Sequence, residues 1–84
     1  MRYDELRPMN NYSTVLASVN RTTYAPLCVT LLKSDNGDLC LLLENVGNYY
    51  QRFYKNRKIA TKRFYEVLYQ GWDHPIAKEM VKHD

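Results

Sequence analysis

Two apolar runs, Leu27-Cys-Val-Thr-Leu-Leu32 and Leu39-Cys-Leu-Leu-Leu43, flank the polar cluster Ser34-Asp35-Asn36-Gly37-Asp38. Asn-Gly between apolar runs marks a hairpin, because a type I′ turn needs positive φ at both central residues. The pattern predicts strands over 25–33 and 38–44. Upstream, Ser13-Thr-Val-Leu-Ala-Ser-Val19 reads as another strand, with a turn at Asn20-Arg-Thr-Thr23. Downstream, Asn45-Val-Gly-Asn48 is a second turn cluster, and Tyr49-Tyr-Gln-Arg-Phe-Tyr54 is rich in β-favouring aromatics. That segment predicts a fourth strand. The competing reading starts a long helix at Asn48, with Gln51 in a capping-box position.

After Tyr54 the apolar period lengthens from two to that of a helix. Ala60, Phe64, Val67 and Leu68 fall at i, i+4, i+7 and i+8 and form one apolar stripe. Asn56 is a suitable N-cap and Gly71 a suitable residue just beyond the last turn. Asp73 caps a short final helix in which Pro75 costs little near the start, with Ile76, Met80 and Ala77 facing inward. The expected architecture is α+β: an antiparallel three- to four-stranded β-meander packed by one or two C-terminal helices, in a single domain spanning 1–84.

A two-residue Asn36-Gly37 turn sets Asp35 opposite Asp38, Leu31 opposite Leu42 and Val29 opposite Glu44. One face then holds Leu27, Val29, Leu31, Cys40 and Leu42. The other holds Cys28, Thr30, Leu32, Leu39, Leu41 and Leu43. In this register Cys28 and Cys40 diverge, so a disulfide between them would need the register broken. Both faces are apolar, whereas a sheet with one wet face alternates cleanly. The helices cover one face. For the other the candidates are the first twelve residues, with Tyr3, Leu6 and Met9, or a second chain, which makes a homodimer or a partner interface an open alternative.

The 84-residue length excludes a cofactor domain beside a substrate domain, since a chain of this size buries only about 60–65% of its unfolded surface. No Cys or His pair has metal-ligand spacing, and His74 and His83 stand apart from both cysteines, so no metal site is expected. Glycines do not cluster into a phosphate-binding loop, and Ser34 lies in a turn remote from either histidine. The expectation is therefore a protein without catalysis and without cofactor. The N-terminus lacks the apolar core of a signal peptide, and the longest apolar run, Leu39–Leu43, is far too short to span a bilayer. A cytoplasmic location follows as an expectation.

Charge sharpens the picture. The net charge is +3, yet residues 1–44 carry four Lys/Arg against five Asp/Glu, and residues 45–84 carry eight against four. Arg52, Lys55, Arg57, Lys58, Lys62 and Arg63 meet no acid between Asn45 and Tyr65. Eight of the eleven aromatic residues lie between Tyr49 and Trp72, alongside those bases. Such a patch suits nucleic acid, an acidic protein surface or anionic lipid. Bases that neutralise phosphates and rings that stack on nucleobases are the ingredients of single-strand binding, while Tyr and Arg are also the preferred anchors of protein interfaces. The expected binding surface comprises Tyr50, Arg52, Tyr54, Lys55, Arg57, Lys58, Lys62 and Arg63, with Tyr50, Arg52 and Tyr54 as an exposed row on the fourth strand.

The meander turning at Asp35-Asn36-Gly37-Asp38, the turn at Glu44-Asn45-Val46 and the helix ending Phe64-Tyr65-x-x-Leu68-x-x-Gly71 resemble small phage-encoded inhibitors, notably anti-CRISPR proteins of the type I systems. The resemblance implies binding to a CRISPR effector or another nucleoprotein complex in a host cytoplasm, without catalysis. Three strands followed by a helix are also similar to the sheet-reading DNA-binding domains of some phage integrases, where a sheet face enters the major groove. That second likeness implies a small nucleic-acid-binding domain or transcriptional regulator using the same basic, Tyr-rich surface.

Overall fold

The computed structural model describes residues 10–22 and 26–82. Four strands, β1 (Tyr12–Asn20), β2 (Leu27–Ser34), β3 (Leu39–Asn45) and β4 (Asn48–Tyr54), precede α1 (Arg57–Gln70), a 3-10 turn (Gly71–Asp73) and α2 (Pro75–Lys82). The strands form one antiparallel sheet in the order β1-β2-β3-β4. The α+β expectation holds, with four strands rather than three. Residues 49–54 belong to a strand, not to the start of a helix.

The hairpin register differs from the expected one by a single residue. Lys33 opposes Leu39, Leu31 opposes Leu41 and Val29 opposes Leu43. Ser34 and Asp38 close the loop: the Ser34 N–H donates to the Asp38 carbonyl at 2.8 Å, and the Gly37 N–H donates to the Ser34 carbonyl at 3.1 Å. The Ser34 hydroxyl accepts from the Asp38 N–H at 3.0 Å. Gly37 takes φ 88° while Asn36 stays at negative φ. This is a three-residue loop, a type I turn completed by a glycine in the left-handed region. The two-residue type I′ turn lies instead between β3 and β4, where Asn45 pairs with Asn48 and both intervening residues, Val46 (φ 42°) and Gly47 (φ 81°), are at positive φ.

Because side chains alternate, a one-residue slip exchanges the faces of a whole strand. Leu27, Val29, Leu31, Leu39, Leu41 and Leu43 all point to one face and are essentially fully buried. The opposite face carries Cys28, Thr30, Leu32, Cys40 and Leu42, joined by Thr14, Ala17 and Val19 of β1 and by Tyr49, Gln51 and Phe53 of β4. The two cysteines thus share a face, contrary to the sequence-based register. They remain unbridged for another reason: Cys40 opposes Leu32, four positions along β2 from Cys28, roughly 13 Å at the strand rise and beyond the reach of a disulfide. The suggested cover of this face by Tyr3, Leu6 and Met9 lies outside the described residues.

The helices cover the leucine face. Ala60, Phe64 and Val67 of α1 and Ala77 and Met80 of α2 are buried against it, with Leu68, Trp72 and Ile76 packed at the margins. This matches the apolar stripe. α1 runs over β1, β2 and β3, and α2 rests on β4. Asn56 caps α1 as expected, its side-chain oxygen accepting from the Ile59 N–H at 3.1 Å. Gly71 ends α1 at φ 67°. The cap of α2 is His74, not Asp73. Its Nδ1 accepts from the Ile76 N–H at 3.0 Å.

Val46 is 79% exposed, β-branched and held at positive φ, so its conformation is strained with no packing to compensate. Val46→Asn should raise stability by about 1 kcal/mol. Gly37→Ala should lower it by roughly the same amount, because an added Cβ meets nothing within 4 Å and the cost is conformational alone. Urea unfolding of both variants measures the two opposite shifts.

Candidate macromolecule-binding surface

The register decides where the expected binding residues go. Tyr50, Arg52 and Tyr54 pair with Leu43, Leu41 and Leu39 and therefore point to the helix-covered face, not to an exposed row. Tyr50 is buried, its ring meeting Trp72 edge-on at 5.8 Å and 80°. Tyr54 packs at the edge of the core, and its hydroxyl is buried with no hydrogen-bond partner. Burial pushes its phenol above 10.0, opposed by the Arg52 and Arg63 guanidiniums. Arg52 reaches Glu79 of α2 at 3.3 Å. These three residues tie β4 to the helices and leave the candidate surface.

Two more of the expected bases are engaged locally. Lys55 meets Asp38 at 3.1 Å, across the closed end of the β2–β3 hairpin. Arg63 Nη1 donates to both oxygens of Glu66, at 2.9 and 3.1 Å. Glu66 Oε1 also meets His74 Nε2 at 3.0 Å. With Nδ1 accepting from Ile76, the bound His74 tautomer carries its proton on Nε2 and donates it to Glu66. This donation is the largest influence holding the Glu66 carboxyl below its ordinary 4.5. Desolvation opposes it, and Arg63 adds to it through a hydrogen bond and its charge.

Arg57, Lys58 and Lys62 remain. All three are exposed and make no ion pair among the described residues. The first turn of α1 holds no acid, so Arg57 and Lys58 add to the positive end of the helix dipole instead of offsetting it. The buried Ala60–Phe64–Val67 stripe fixes the phase of the helix. At 100° per residue, Lys58, Lys62, Tyr65 and Tyr69 then fall within about 60° of arc on the outward side, along roughly 16 Å of axis. Tyr65 is 41% exposed and Tyr69 77% exposed. Their rings lie nearly parallel, 6.3 Å apart at 21°, and Phe64 meets Tyr65 edge-on at 5.1 Å. The result is a convex ridge with lysines at one end and a preformed tyrosine pair at the other.

Tyr65 and Tyr69 were absent from the sequence-derived surface. Their signal was the i, i+4, i+7, i+11 spacing from Lys58, which carries meaning only once the buried stripe sets the outward direction. Beside the ridge, Ser18, Val19, Asn20, Arg21, Thr22, Leu68 and Tyr69 line an open groove. The Asn20 side chain pins its floor by donating from Nδ2 to the Leu68 carbonyl at 2.8 Å.

Among the described residues, no three His, Cys, Asp or Glu side chains come together as a metal-binding group. Cys28 and Cys40 lie on the outer face and His74 on the helix side, and His83 is outside the described residues. No described helix is long and apolar enough to cross a membrane. Comparison with known protein families, curated proteins and solved structures finds no match.

The Glu66 interactions predict an acid-sensitive link between α1 and α2. The stability contributed by a depressed carboxylate is complete above its ordinary 4.5 and is lost as pH falls through its lower folded value. Thermal unfolding of the wild type should therefore drop across that acidic window. Glu66→Gln should start lower at neutral pH and show a shallower decline. Parallel pH profiles of the two proteins would remove this assignment.

Proposed function

We propose that the protein is a non-catalytic binder of a negatively charged macromolecular partner, which it meets through the outward ridge of α1. The observation that carries this reading is the uncompensated exposure of Lys58 and Lys62 in line with the Tyr65–Tyr69 pair, with the exposed Arg57 at the start of the same helix. The other bases of the segment have acidic neighbours at 2.9–3.3 Å, so the charge is concentrated where no intramolecular acid needs it. Lysines at the rim of an interface steer an acidic surface into register, and tyrosines supply rigid contact area with a polar end.

The convex shape favours an acidic protein or nucleoprotein surface over a bare strand, because single-strand binders track the backbone in a groove. The more specific reading, a phage-type inhibitor occluding a CRISPR effector, rests on the resemblance in element order. Direct nucleic-acid binding is the second reading. The near-parallel tyrosine pair beside two lysines favours it, since nucleobases stack on such rings.

Pull-down from a bacterial lysate should recover one stoichiometric partner with the wild-type chain. Lys58→Glu with Lys62→Glu should weaken the recovered complex at least about tenfold, near 1.4 kcal/mol, while Arg52→Ala, on the covered side, should change it little. Retention of the complex by the double variant would exclude the ridge. Binding of an arbitrary single strand with a log–log salt slope of roughly −2 would favour the second reading, that slope being expected for three neutralised phosphates.

A further inference from the structure

A sheet edge is a template for another strand, and proteins normally guard it with charge, proline or a short length. β1 has few such guards. It runs nine residues, Tyr-Ser-Thr-Val-Leu-Ala-Ser-Val-Asn, without one charged residue or proline. Among the described residues it pairs with β2 alone. A bulge between Thr14 and Leu16 disrupts the first half, but from Leu16 to Asn20 the ladder with β2 is regular. In that regular half Ala17, Ser18 and Val19 are exposed.

A second feature lies along the same edge. Val19 and Tyr69 are exposed apolar residues, and both line the groove that Leu68 floors. The groove's other lining is largely polar, Ser18, Asn20, Arg21 and Thr22, so Val19 and Tyr69 are the exposed apolar area there that association would bury.

From these two observations we propose that β1 pairs with β1 of a second copy, antiparallel about a twofold axis near Ser18. The occupant is a copy of the same chain because an uncharged strand opposes no like charges when it faces itself, and the twofold arrangement closes without leaving a further edge at that site. Ala17 then faces Val19 of the second copy across the dyad, and the two four-stranded sheets become one. Such a twofold axis stands perpendicular to the sheet, so both helix layers lie on the same side. α1, which runs over β1 and β2, flanks the dyad in each copy. The pairing goes beyond the α1-ridge reading and does not depend on it. If both hold, the assembly is bivalent, with two ridges on one side.

Sedimentation equilibrium of the full chain tests the pairing. The wild type should sediment at twice the 10.0 kDa of one chain. Ala17→Lys with Val19→Lys, and separately Ala17→Glu with Val19→Glu, should each dissociate at least about tenfold more readily, with unchanged circular dichroism. An equimolar mixture of the two should associate again, because opposite charges then face each other. Amide exchange over 16–20 in the wild type should slow as concentration rises, which tests the same contact if a charged variant does not fold. A wild type that stays at 10.0 kDa would overturn the pairing and leave the edge to a strand from a different protein. Dimers that persist in both charged variants would overturn it too, and would move the contact to another surface, the outer sheet face first. Concentration-independent exchange over 16–20 would also count against it.

Discussion

The closure of the β2–β3 loop by Ser34 and Asp38 controls the rest of the molecule. Three hydrogen bonds there, 2.8 to 3.1 Å long, insert one more residue into the turn than an Asn-Gly hairpin would hold. That single residue selects which side of β3 meets the helices, and through the ladder it selects the side of β4 as well. With the observed register, the leucines of β2 and β3 stack on one face and form one continuous apolar surface. With the register shifted by one, Cys40 and Leu42 would take their places, and Leu39, Leu41 and Leu43 would be left outside. The exchange would trade three buried leucines for one leucine and one cysteine, a net loss of between one and two large side chains, each worth about 1.5–3 kcal/mol. The loop and the core therefore agree on the register, and each would resist a slip by the other.

The helix layer inherits its charge distribution from that choice. Since Tyr50, Arg52 and Tyr54 follow Leu43, Leu41 and Leu39 to the covered face, the aromatic and basic residues of β4 become links between layers: Tyr50 to Trp72, and Arg52 to Glu79. Arg63, Glu66 and His74 then join the two helices to each other, with His74 serving at once as donor to Glu66 and as acceptor at the start of α2. After these contacts, the bases of the 45–65 segment with no acidic partner among the described residues are Arg57 at the start of α1 and Lys58 and Lys62 on its far side. The ridge is thus what remains of a basic, aromatic segment when packing has taken its share.

This explains which parts of the molecule were legible in the sequence. Asn56 and Gly71 act through hydrogen bonds and dihedral angles within a few residues, so local signals located α1 at both ends. The 3.6-residue period of Ala60, Phe64 and Val67 marked its buried side for the same reason. The register was not legible, because a glycine after Asn36 serves a two-residue type I′ loop and a three-residue bulged loop equally well. The discriminating group, the Ser34 hydroxyl holding the Asp38 N–H, reads in sequence as an ordinary turn serine. The type I′ turn was placed at the wrong hairpin because Val46-Gly47 lacks the asparagine that usually tolerates positive φ. On β4 the alternation correctly grouped Tyr50, Arg52 and Tyr54 on one face, but alternation alone does not say which face the helices cover. Neither cap of α2 was distinguishable in advance, as Asp73 and His74 stand side by side and only the fold shows which one faces the Ile76 N–H.

The two surfaces left open by this packing have opposite chemistry. The α1 ridge is charged and convex, so its contacts depend on salt and tolerate water. The regular half of β1 is uncharged and presents backbone groups in a straight row, so its contacts demand register and exclude water. Tyr69 stands where the two meet, lying on the ridge and lining the groove beside β1. An interaction at one surface would therefore change the surroundings of a residue that belongs to the other. If two chains join along β1, the tyrosine pairs are brought toward the dyad while Lys58 and Lys62 extend along α1 away from Tyr69. A partner spanning both copies would meet aromatic contact area near the axis and positive charge farther out. Steering charge at the periphery and rigid rings at the centre is the distribution that protein interfaces favour.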